Sequence, residues 1–198
     1  MFRRTALAAA VALAALPAVA QELSLGEISA YLNSLQTGTG GFTQINADGS
    51  ISTGTIYLKR PGRIRFEYAS PDQSLFMSGG GQVAVFDAAS NEEPQRFPLR
   101  ETPLSIILEE TVDLGRAGMV TGHTSDGTTT TVRAQDPQHP EYGSIDLVFT
   151  ADPVELRQWV VTDQTGSQTT VVLNDLRTGV QIGDRAFNIQ AEMQARGF

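Results

Sequence analysis

The first periodic segment of the chain is a one-sided apolar stripe close to the N-terminus. Its apolar positions, spaced by three, four and three residues, are Leu25, Ile28, Leu32 and Leu35. This spacing repeats on one face of an α-helix. Ser24 and Glu27 have the spacing of a capping box at the start of that helix, and the glycines at 38, 40 and 41 predict its end and a loop. The pattern predicts an amphipathic helix whose apolar stripe lies on the rest of the protein.

From Phe42 onward the apolar positions alternate with a period of two. Short runs rich in Ile, Val, Thr, Tyr and Phe, such as 63–68 and 144–149, are separated by turn residues such as Asp48-Gly49. Connections this short join antiparallel neighbours. About ten or eleven strands can be counted, and a strongly twisted sheet of that size curls. The sequence therefore predicts a mainly β domain, whose large antiparallel sheet forms an open or closed barrel with an apolar concave side.

A second helical pattern interrupts the strands at residues 102–110. Thr102 offers an N-cap hydroxyl, and Pro103 suits the first helical position. The apolar residues that follow on one side are Leu104, Ile107 and Leu108. Because a helix of about two turns is not stable alone in water, we expect these side chains to rest against the sheet as a short inserted lid.

The first twenty residues differ in composition from the rest. Two arginines precede an apolar run that ends at Leu16, and Ala18-Val19-Ala20 has the small residues of a cleavage site. A membrane-spanning helix needs about 20 apolar residues, roughly twice the length of this run. We therefore expect residues 1–20 to be a secretory signal peptide and residues 21–198 to form one soluble, exported domain.

Composition excludes several classes of chemistry. The chain has 198 residues and no cysteine, which excludes disulfides, thiolate zinc sites, cysteine nucleophiles and a lipid attached to an N-terminal cysteine. It carries 14 Lys plus Arg against 22 Asp plus Glu, a net charge of -8. Because this charge repels polyphosphate backbones, we expect no nucleic-acid partner.

Evidence for catalysis is weak. Neither His123 nor His139 has a second histidine or a carboxylate at ligand spacing, and no G-x-S-x-G elbow occurs. The acidic pairs Glu92-Glu93 and Glu109-Glu110 have the character of a solvated surface. We therefore expect no metal, no cofactor and no enzyme activity. A triad assembled from distant residues stays open, and with it a hydrolase acting on a lipid or sugar.

The densest group of cations is Lys59, Arg60, Arg63 and Arg65. Anionic lipid headgroups or a partner protein could use such a cluster. Arg63 and Arg65 share the polar face of their strand with Glu67, and this placement predicts that both are solvated.

Arg60 has a different environment, because it shares parity with Ile56 and Leu58 on the apolar side of the preceding strand. A guanidinium at that rim needs acceptors for its five donors. Free carbonyls at the end of a covering helix would supply them. Two interpretations remain: a latch that holds a lid, and a surface arginine that reaches solvent.

Five segments form a more specific combination than any single pattern. They are Phe42-Thr43-Gln44, 54–68 with its Arg60-Pro61-Gly62-Arg63-Ile64-Arg65-Phe66-Glu67-Tyr68 run, 83–87, Thr102-Pro103-Leu104, and Trp159 with Asp163 and Gly166. This combination resembles the LolA family of periplasmic outer-membrane lipoprotein carriers over nearly all of the mature chain. Two features depart from the family pattern: Gly80-Gly81 replaces the usual Asp-Gly of a turn, and the stretch after Phe187 is short and lacks a common proline.

The resemblance implies a fold, a function and partners. The fold is an unclosed antiparallel barrel of about eleven strands lidded by helices, whose apolar interior receives the acyl chains of lipoproteins. The partners are acylated lipoproteins, the inner-membrane ABC transporter that releases them, and the outer membrane or a LolB-like receptor on it. We expect a monomer in the periplasm. A lipid-sensing or lipoprotein-sensing regulator of the same fold, resembling RseB, is the alternative.

The resemblance also assigns roles to residues. The family's gating arginine falls on Arg60, which would bond the lid and keep the empty form closed. The expected wall of the acyl-chain cavity is Ile56, Leu58, Phe66, Tyr68 and Trp159. The expected lid residues, which would fill the cavity when it is empty, are Leu25, Ile28 and Leu32 from the first helix and Leu104, Ile107 and Leu108 from the second.

Overall fold

A computed structural model describes residues 22–198, so the expected signal peptide lies outside the described residues. The helices are α1 Leu25–Ser34, α2 Leu104–Leu108 and α3 Ile189–Arg196. The strands are β1 Thr37–Ile45, β2 Ile51–Lys59, β3 Arg63–Tyr68, β4 Leu75–Gly79, β5 Gln82–Phe86, β6 Gln95–Pro98, β7 Val120–Ser125, β8 Thr129–Gln135, β9 Ser144–Thr150, β10 Glu155–Thr162 and β11 Gln168–Thr178. None of the helices in this part of the chain is long and apolar enough to cross a membrane.

The eleven strands form one antiparallel sheet in the order β6-β5-β4-β3-β2-β1-β11-β10-β9-β8-β7. The first and last strands pair in the middle, so two meanders share one sheet. Strands β6 and β7 are its two edges, and the chain crosses from one to the other through residues 99–119, which contain α2. The predicted unclosed sheet of about eleven strands is confirmed.

One face of the sheet carries the main hydrophobic core. Ile145, Leu147 and Phe149 on β9 are 0% exposed, as their alternation with polar residues predicts. Corresponding positions on the other strands and the apolar residues of α1 and α2 belong to the same cluster. The two helices therefore cover the concave side of the sheet.

The start of α1 has the predicted capping box. The Ser24 hydroxyl accepts a hydrogen bond from the Glu27 backbone N–H at 3.2 Å, and the Glu27 carboxylate accepts one from the Ser24 backbone N–H at 2.9 Å. These bonds satisfy two N–H groups that have no partner inside the helix.

The glycines after α1 do not form the expected loop, because Gly38, Gly40 and Gly41 lie inside β1. The register of β1 against β11 shifts between Thr39 and Gly41, and the two backbones approach closely there. A Cβ at Gly40 would lie 2.8 Å from the carbonyl oxygen of Asn174. These glycines permit close strand packing, which the sequence pattern could not distinguish from loop chemistry.

The start of α2 differs from the prediction. The Thr102 hydroxyl donates to the carbonyl of Leu99 at 2.8 Å instead of capping the helix, and Pro103 stands at the N-cap, so the helix begins at Leu104. Ile106 is also buried, 3% exposed, so the apolar surface of α2 is not confined to one side. A helix this short and this buried depends on its surroundings for stability.

A second hydrophobic cluster lies on the convex side of the sheet, where the sequence analysis assigned no structure. Leu75, Met77, Ala84 and Phe86 on β4 and β5 form its floor. Helix α3 covers them with Met193 and Ile189. Strands β4 and β5 are therefore packed on both faces, and the C-terminal segment is part of the folded domain.

Candidate functional site

Arg60 follows β2 and is buried, with 4% of its surface exposed. Its guanidinium donates to the backbone carbonyl of Leu32 in the last turn of α1 and to that of Glu109, which ends α2. It also donates to Oδ1 of Asn33 at 3.3 Å. One side chain on the sheet therefore bonds the C-terminal ends of both covering helices.

The chemistry of these contacts suits a cation. The last carbonyls of a helix have no partner inside the helix and carry the negative end of its dipole. Burial lowers the pKa of the Arg60 guanidinium from its ordinary value, and the charge of Glu109 opposes that shift. The Nε–H of Arg60 is buried without a hydrogen-bond partner. The arrangement thus holds a charge out of water against carbonyl oxygens, and it loses these bonds if the helices move.

The expected lid residues lie in the main core. Ile28, Leu32, Ile107 and Leu108 are at most 2% exposed, Leu104 is 8% exposed, and Leu25 packs against the cluster while partly exposed. The expected wall residues Ile56, Leu58, Phe66 and Trp159 are buried in the same cluster, and Tyr68 packs against it while partly exposed. The structure therefore brings both sets of residues together in one apolar compartment.

Aromatic rings form the centre of this compartment. Phe66 meets Phe42 and Trp159 edge to face, with ring centroids 5.1 and 6.2 Å apart. Phe42 also contacts Tyr68 at 5.2 Å. The Tyr68 hydroxyl donates to Gln44 at 2.8 Å, and burial is the main cause that raises the pKa of Tyr68 to about 12. The polar end of this tyrosine is thus neutral and satisfied.

Two further aromatic residues at the site were not assigned from sequence. Tyr31 of α1 packs edge to face on Phe149 of β9, with centroids 5.9 Å apart, so α1 contacts the sheet with an aromatic as well as with its leucines. Phe76 contacts Phe66 at 5.7 Å. Tyr31 stands next to Leu32 in the α1 stripe and could have been found by widening that stripe. Phe76 lies in a run that is apolar at every position, so a period of two does not indicate which face of the sheet its side chain occupies.

A cleft of about 390 Å³ opens beside the start of α2. Its apolar lining comes from Phe76, Phe97, Pro103, Leu104 and Val161, and polar residues at its rim include Glu101, Asp163, Gln164 and Thr165. Phe76 lines the cleft and also touches Phe66 in the interior. The cleft thus leads from solvent to the edge of the aromatic cluster.

The cations next to Arg60 are occupied by the C-terminal segment. Lys59 and Arg63 each lie 2.6 Å from the Asp184 carboxylate. Arg65 lies 2.7 Å from Glu67 and 2.9 Å from Glu192 of α3, and its side chain is only 12% exposed. The expectation that Arg65 is solvated is therefore wrong, because α3 covers that face of β3. These contacts leave Arg63 and Arg65 bound within the chain instead of open to an anionic headgroup.

The histidines are closer to carboxylates than the sequence spacing indicated. His139 lies 3.0 Å from Glu141, and His123 lies 3.4 Å from Glu22 while bonding the Leu23 carbonyl at 2.9 Å. Within residues 22–198, no group of three or more His, Cys, Asp or Glu side chains has the geometry to hold a metal ion. Both histidines therefore have local structural contacts.

Comparisons with known proteins identify the family of this chain. The sequence model of a family described as "Outer membrane lipoprotein carrier protein LolA" matches residues 33–190. The outer-membrane lipoprotein carrier protein of Azotobacter vinelandii is 25% identical over 195 residues, covering 94% of this chain and 93% of that protein. The protein of the same name from Pseudomonas aeruginosa is 24% identical over 193 residues, covering 93% and 92% of the two chains.

Solved structures give a weaker likeness. A putative outer membrane lipoprotein-sorting protein domain from Vibrio parahaemolyticus is 11% identical, with a TM-score of 0.49 over 85% of this chain and 97% of that one. MucB in complex with MucA(peri) is 14% identical, with a TM-score of 0.42 over 83% of this chain and 58% of that one. The family match spans most of the chain and includes β2, β3, α2 and Arg60. This chain belongs to the LolA family of outer membrane lipoprotein carrier proteins.

Proposed function

We propose that this protein is a periplasmic chaperone that accepts acylated lipoproteins released from the inner membrane and carries them to the outer membrane. Its proposed partners are the ABC transporter that releases the lipoproteins, and a LolB-like receptor or the outer membrane itself. The observation that carries the proposal is that two apolar helices fill the concave side of the sheet and that one buried cation, Arg60, fastens both.

The energetics of acyl chains explain why such a compartment is needed. About three acyl chains contain on the order of 40 methylenes, and at about 0.8 kcal/mol each their removal from a membrane into water costs about 30 kcal/mol. A carrier has to bury most of that apolar surface. The concave side of the sheet, with Ile56, Leu58, Phe66 and Trp159, supplies an apolar surface for this purpose.

Release requires the opposite property. A cavity that bound acyl chains much more tightly than the destination membrane would retain its cargo. Lid residues such as Leu32, Leu104 and Ile107 occupy the compartment in the closed form, so they compete with the cargo for the same apolar walls. A favourable closed state lowers the apparent affinity for the cargo, because only the open fraction of the protein can bind it. In this proposal the bonds from Arg60 set how strong that competition is.

The decisive experiment adds the purified mature protein to spheroplasts that lack their own carrier. We expect outer-membrane lipoproteins to leave the spheroplasts as soluble complexes and to pass from these complexes into outer-membrane vesicles. Lipoproteins that stay on the spheroplasts would refute the proposal. Binding without onward transfer would favour the sensor alternative. Mass spectrometry of molecules that co-purify with the periplasmic protein identifies the cargo directly.

A further inference from the structure

The two lid helices are bonded to each other as well as to Arg60. The side chain of Asn33 donates from Nδ2 to the carbonyl of Val112 at 2.9 Å, and its Oδ1 accepts from the backbone N–H of Val112 at 2.8 Å. One turn earlier, the Ser29 hydroxyl accepts from the backbone N–H of Leu114 at 3.1 Å. Residues four apart lie on the same helix face. One strip of α1 is therefore hydrogen-bonded to the backbone that follows α2.

Asn33 also touches the cation that fastens the lid. The Oδ1 atom that accepts from Val112 accepts from Arg60 at 3.3 Å, and the same guanidinium nitrogen donates to Glu109. Asn33, which is part of α1, thus contacts both the segment after α2 and the guanidinium of Arg60. Neighbouring Val112 and Leu114 are 2% and 1% exposed, so water has little access to replace these bonds.

We propose that α1 and residues 104–114 open and close as one body, and that Asn33 is the positioning residue that joins them and orients Arg60 toward Glu109. This inference rests on the proposed carrier function, in which a lid has to leave the compartment. Joint opening breaks the bonds from Arg60 and the bond from the Gly62 N–H to the Leu108 carbonyl, which is 2.8 Å long. It keeps both bonds between Asn33 and Val112.

Separate opening is the less favourable route. If α1 left alone, the N–H and carbonyl of Val112 and the N–H of Leu114 would all lose their partners. Each such bond favours the joined state by roughly fivefold, so separate opening is disfavoured by about a hundredfold relative to joint opening. The lid then presents one combined apolar surface to the compartment, instead of two flaps that act independently.

The test measures distances within the lid and from the lid to the sheet. Because the chain has no cysteine, pairs of cysteines at exposed positions carry spin labels without background. One pair, Ala30→Cys with Thr111→Cys, reports on the two parts of the lid, and a second, Ala30→Cys with Gln168→Cys, reports on lid and sheet. In Arg60→Leu, we expect the lid-to-sheet distances to broaden while the distances within the lid stay narrow.

Asn33→Ala removes two of these bonds, so in the Arg60→Leu background it is expected to raise the population with separated lid helices about 25-fold. In the same Arg60→Leu background, Asn33→Asp keeps the acceptor for the Val112 N–H but loses the donor to the Val112 carbonyl, so it should restore only part of the narrow distribution. Asn188→Ala removes a comparable bond, which the Ala191 backbone N–H donates to Oδ1 of Asn188 at the start of α3, outside the lid. It should leave both distance distributions unchanged.

The inference is overturned if Arg60→Leu alone broadens the distances within the lid, or if Asn33→Ala leaves them narrow in the Arg60→Leu background. Both measurements use the full mature chain without cargo. Independent helices combined with successful lipoprotein transfer would refute only the coupling. A coupled lid combined with failed transfer would refute only the carrier function.

Discussion

The hydroxyl of Thr130 accepts a hydrogen bond from the backbone N–H of Leu23 at 3.0 Å. Thr130 lies on β8 and is 2% exposed, and Leu23 immediately precedes the capping box of α1. The Leu23 carbonyl is bonded in turn by His123 on β7 at 2.9 Å. The start of α1 is therefore fixed to the far meander of the sheet, while its C-terminal end is held by Arg60 next to β2. A lid held in this way has a pivot at one end and a fastening at the other.

Thr130→Val should loosen this pivot. The substitution keeps the shape of the side chain but leaves the Leu23 N–H without its acceptor in a buried place. The expected loss of stability is about 1–3 kcal/mol. Urea unfolding followed by circular dichroism gives this value, and Thr130→Ser, which retains the hydroxyl, should stay close to wild type. Equal stability of the valine and serine variants would show that the bond contributes nothing.

Arg60→Leu should leave the sheet folded but weaken the closed lid. The carbonyls of Leu32 and Glu109 lose a charged donor, and each such bond is worth about 1.5–3 kcal/mol. Because the closed state competes with cargo, the variant should hold lipoprotein more tightly and transfer it more slowly, by tenfold or more. Trp159 is the single tryptophan, so its emission reports on the compartment directly.

The matched control for Arg60 is Arg100→Leu. Its side chain is 82% exposed, and the one ion pair it makes within residues 22–198, with Glu101, spans 3.9 Å. Transfer by the Arg100 variant should equal that of wild type. If the Arg60 and Arg100 variants transferred lipoprotein at the same rate, Arg60 would have no role in gating.

Docking of α3 should weaken in acid. Burial alone would raise the pKa of Glu192, but its hydrogen bonds with Arg196 and Arg65 outweigh burial and hold the pKa below the ordinary value of 4.5. A carboxyl with a lowered folded-state pKa contributes stability above its ordinary pKa, and this contribution disappears as the pH falls through the folded-state value. The protection of the α3 amides from hydrogen exchange, relative to their intrinsic exchange rates, should therefore decrease as the pH falls below about 4.5.

Glu192→Gln tests the source of that pH dependence. The variant should show weaker docking at neutral pH and a flatter pH profile of α3 exchange, once the intrinsic exchange rate is corrected. Glu93→Gln changes an exposed carboxyl elsewhere and should keep the wild-type profile. If Glu192→Gln also kept that profile, another group would be responsible for the acid sensitivity.

Gly54→Ala should destabilise the barrel strongly. A Cβ at this position of β2 would overlap the Glu67 carbonyl on β3 and lie 2.7 Å from Cε1 of Phe42. Because the first obstacle is backbone, the two strands have to separate, and we expect a loss of about 3 kcal/mol or more. Gly183→Ala meets nothing within 4 Å and should be close to neutral in the same thermal melts. A stable Gly54→Ala protein would mean that β2 and β3 can shift apart freely.

Much of this fold could be predicted because alternation and capping act locally. The faces of β3 and β9 followed from period two, and Ser24 with Glu27 fixed the start of α1. The position of Arg60 also followed from local parity, because the residue continues the apolar side of β2. Its actual partners required the fold, since Leu32 and Glu109 are distant in sequence and only the packing of both helices brings their carbonyls together.

The wrong sequence predictions share a physical cause: the environment of each residue is set by a segment that is distant in sequence. Gly40 was assigned to a loop because no residue near it in the sequence indicates the close approach of β11. Arg65 looked solvated because the polar face of β3 is covered only when α3 folds back onto it. Asn33 gave no signal at all, since one polar residue in a helix is ordinary until its amide meets the backbone of Val112.

The contacts of the C-terminal segment bear on how this protein can be engineered. Asp184 and Glu192 neutralise three cations on β2 and β3. Met193 covers the hydrophobic surface formed by Leu75 and Met77. A truncation before Asp184 would expose a positively charged and partly hydrophobic patch on an otherwise acidic protein. Such a protein would adhere to anionic membranes for reasons unrelated to cargo, so fusions and affinity tags should leave the last fifteen residues in place.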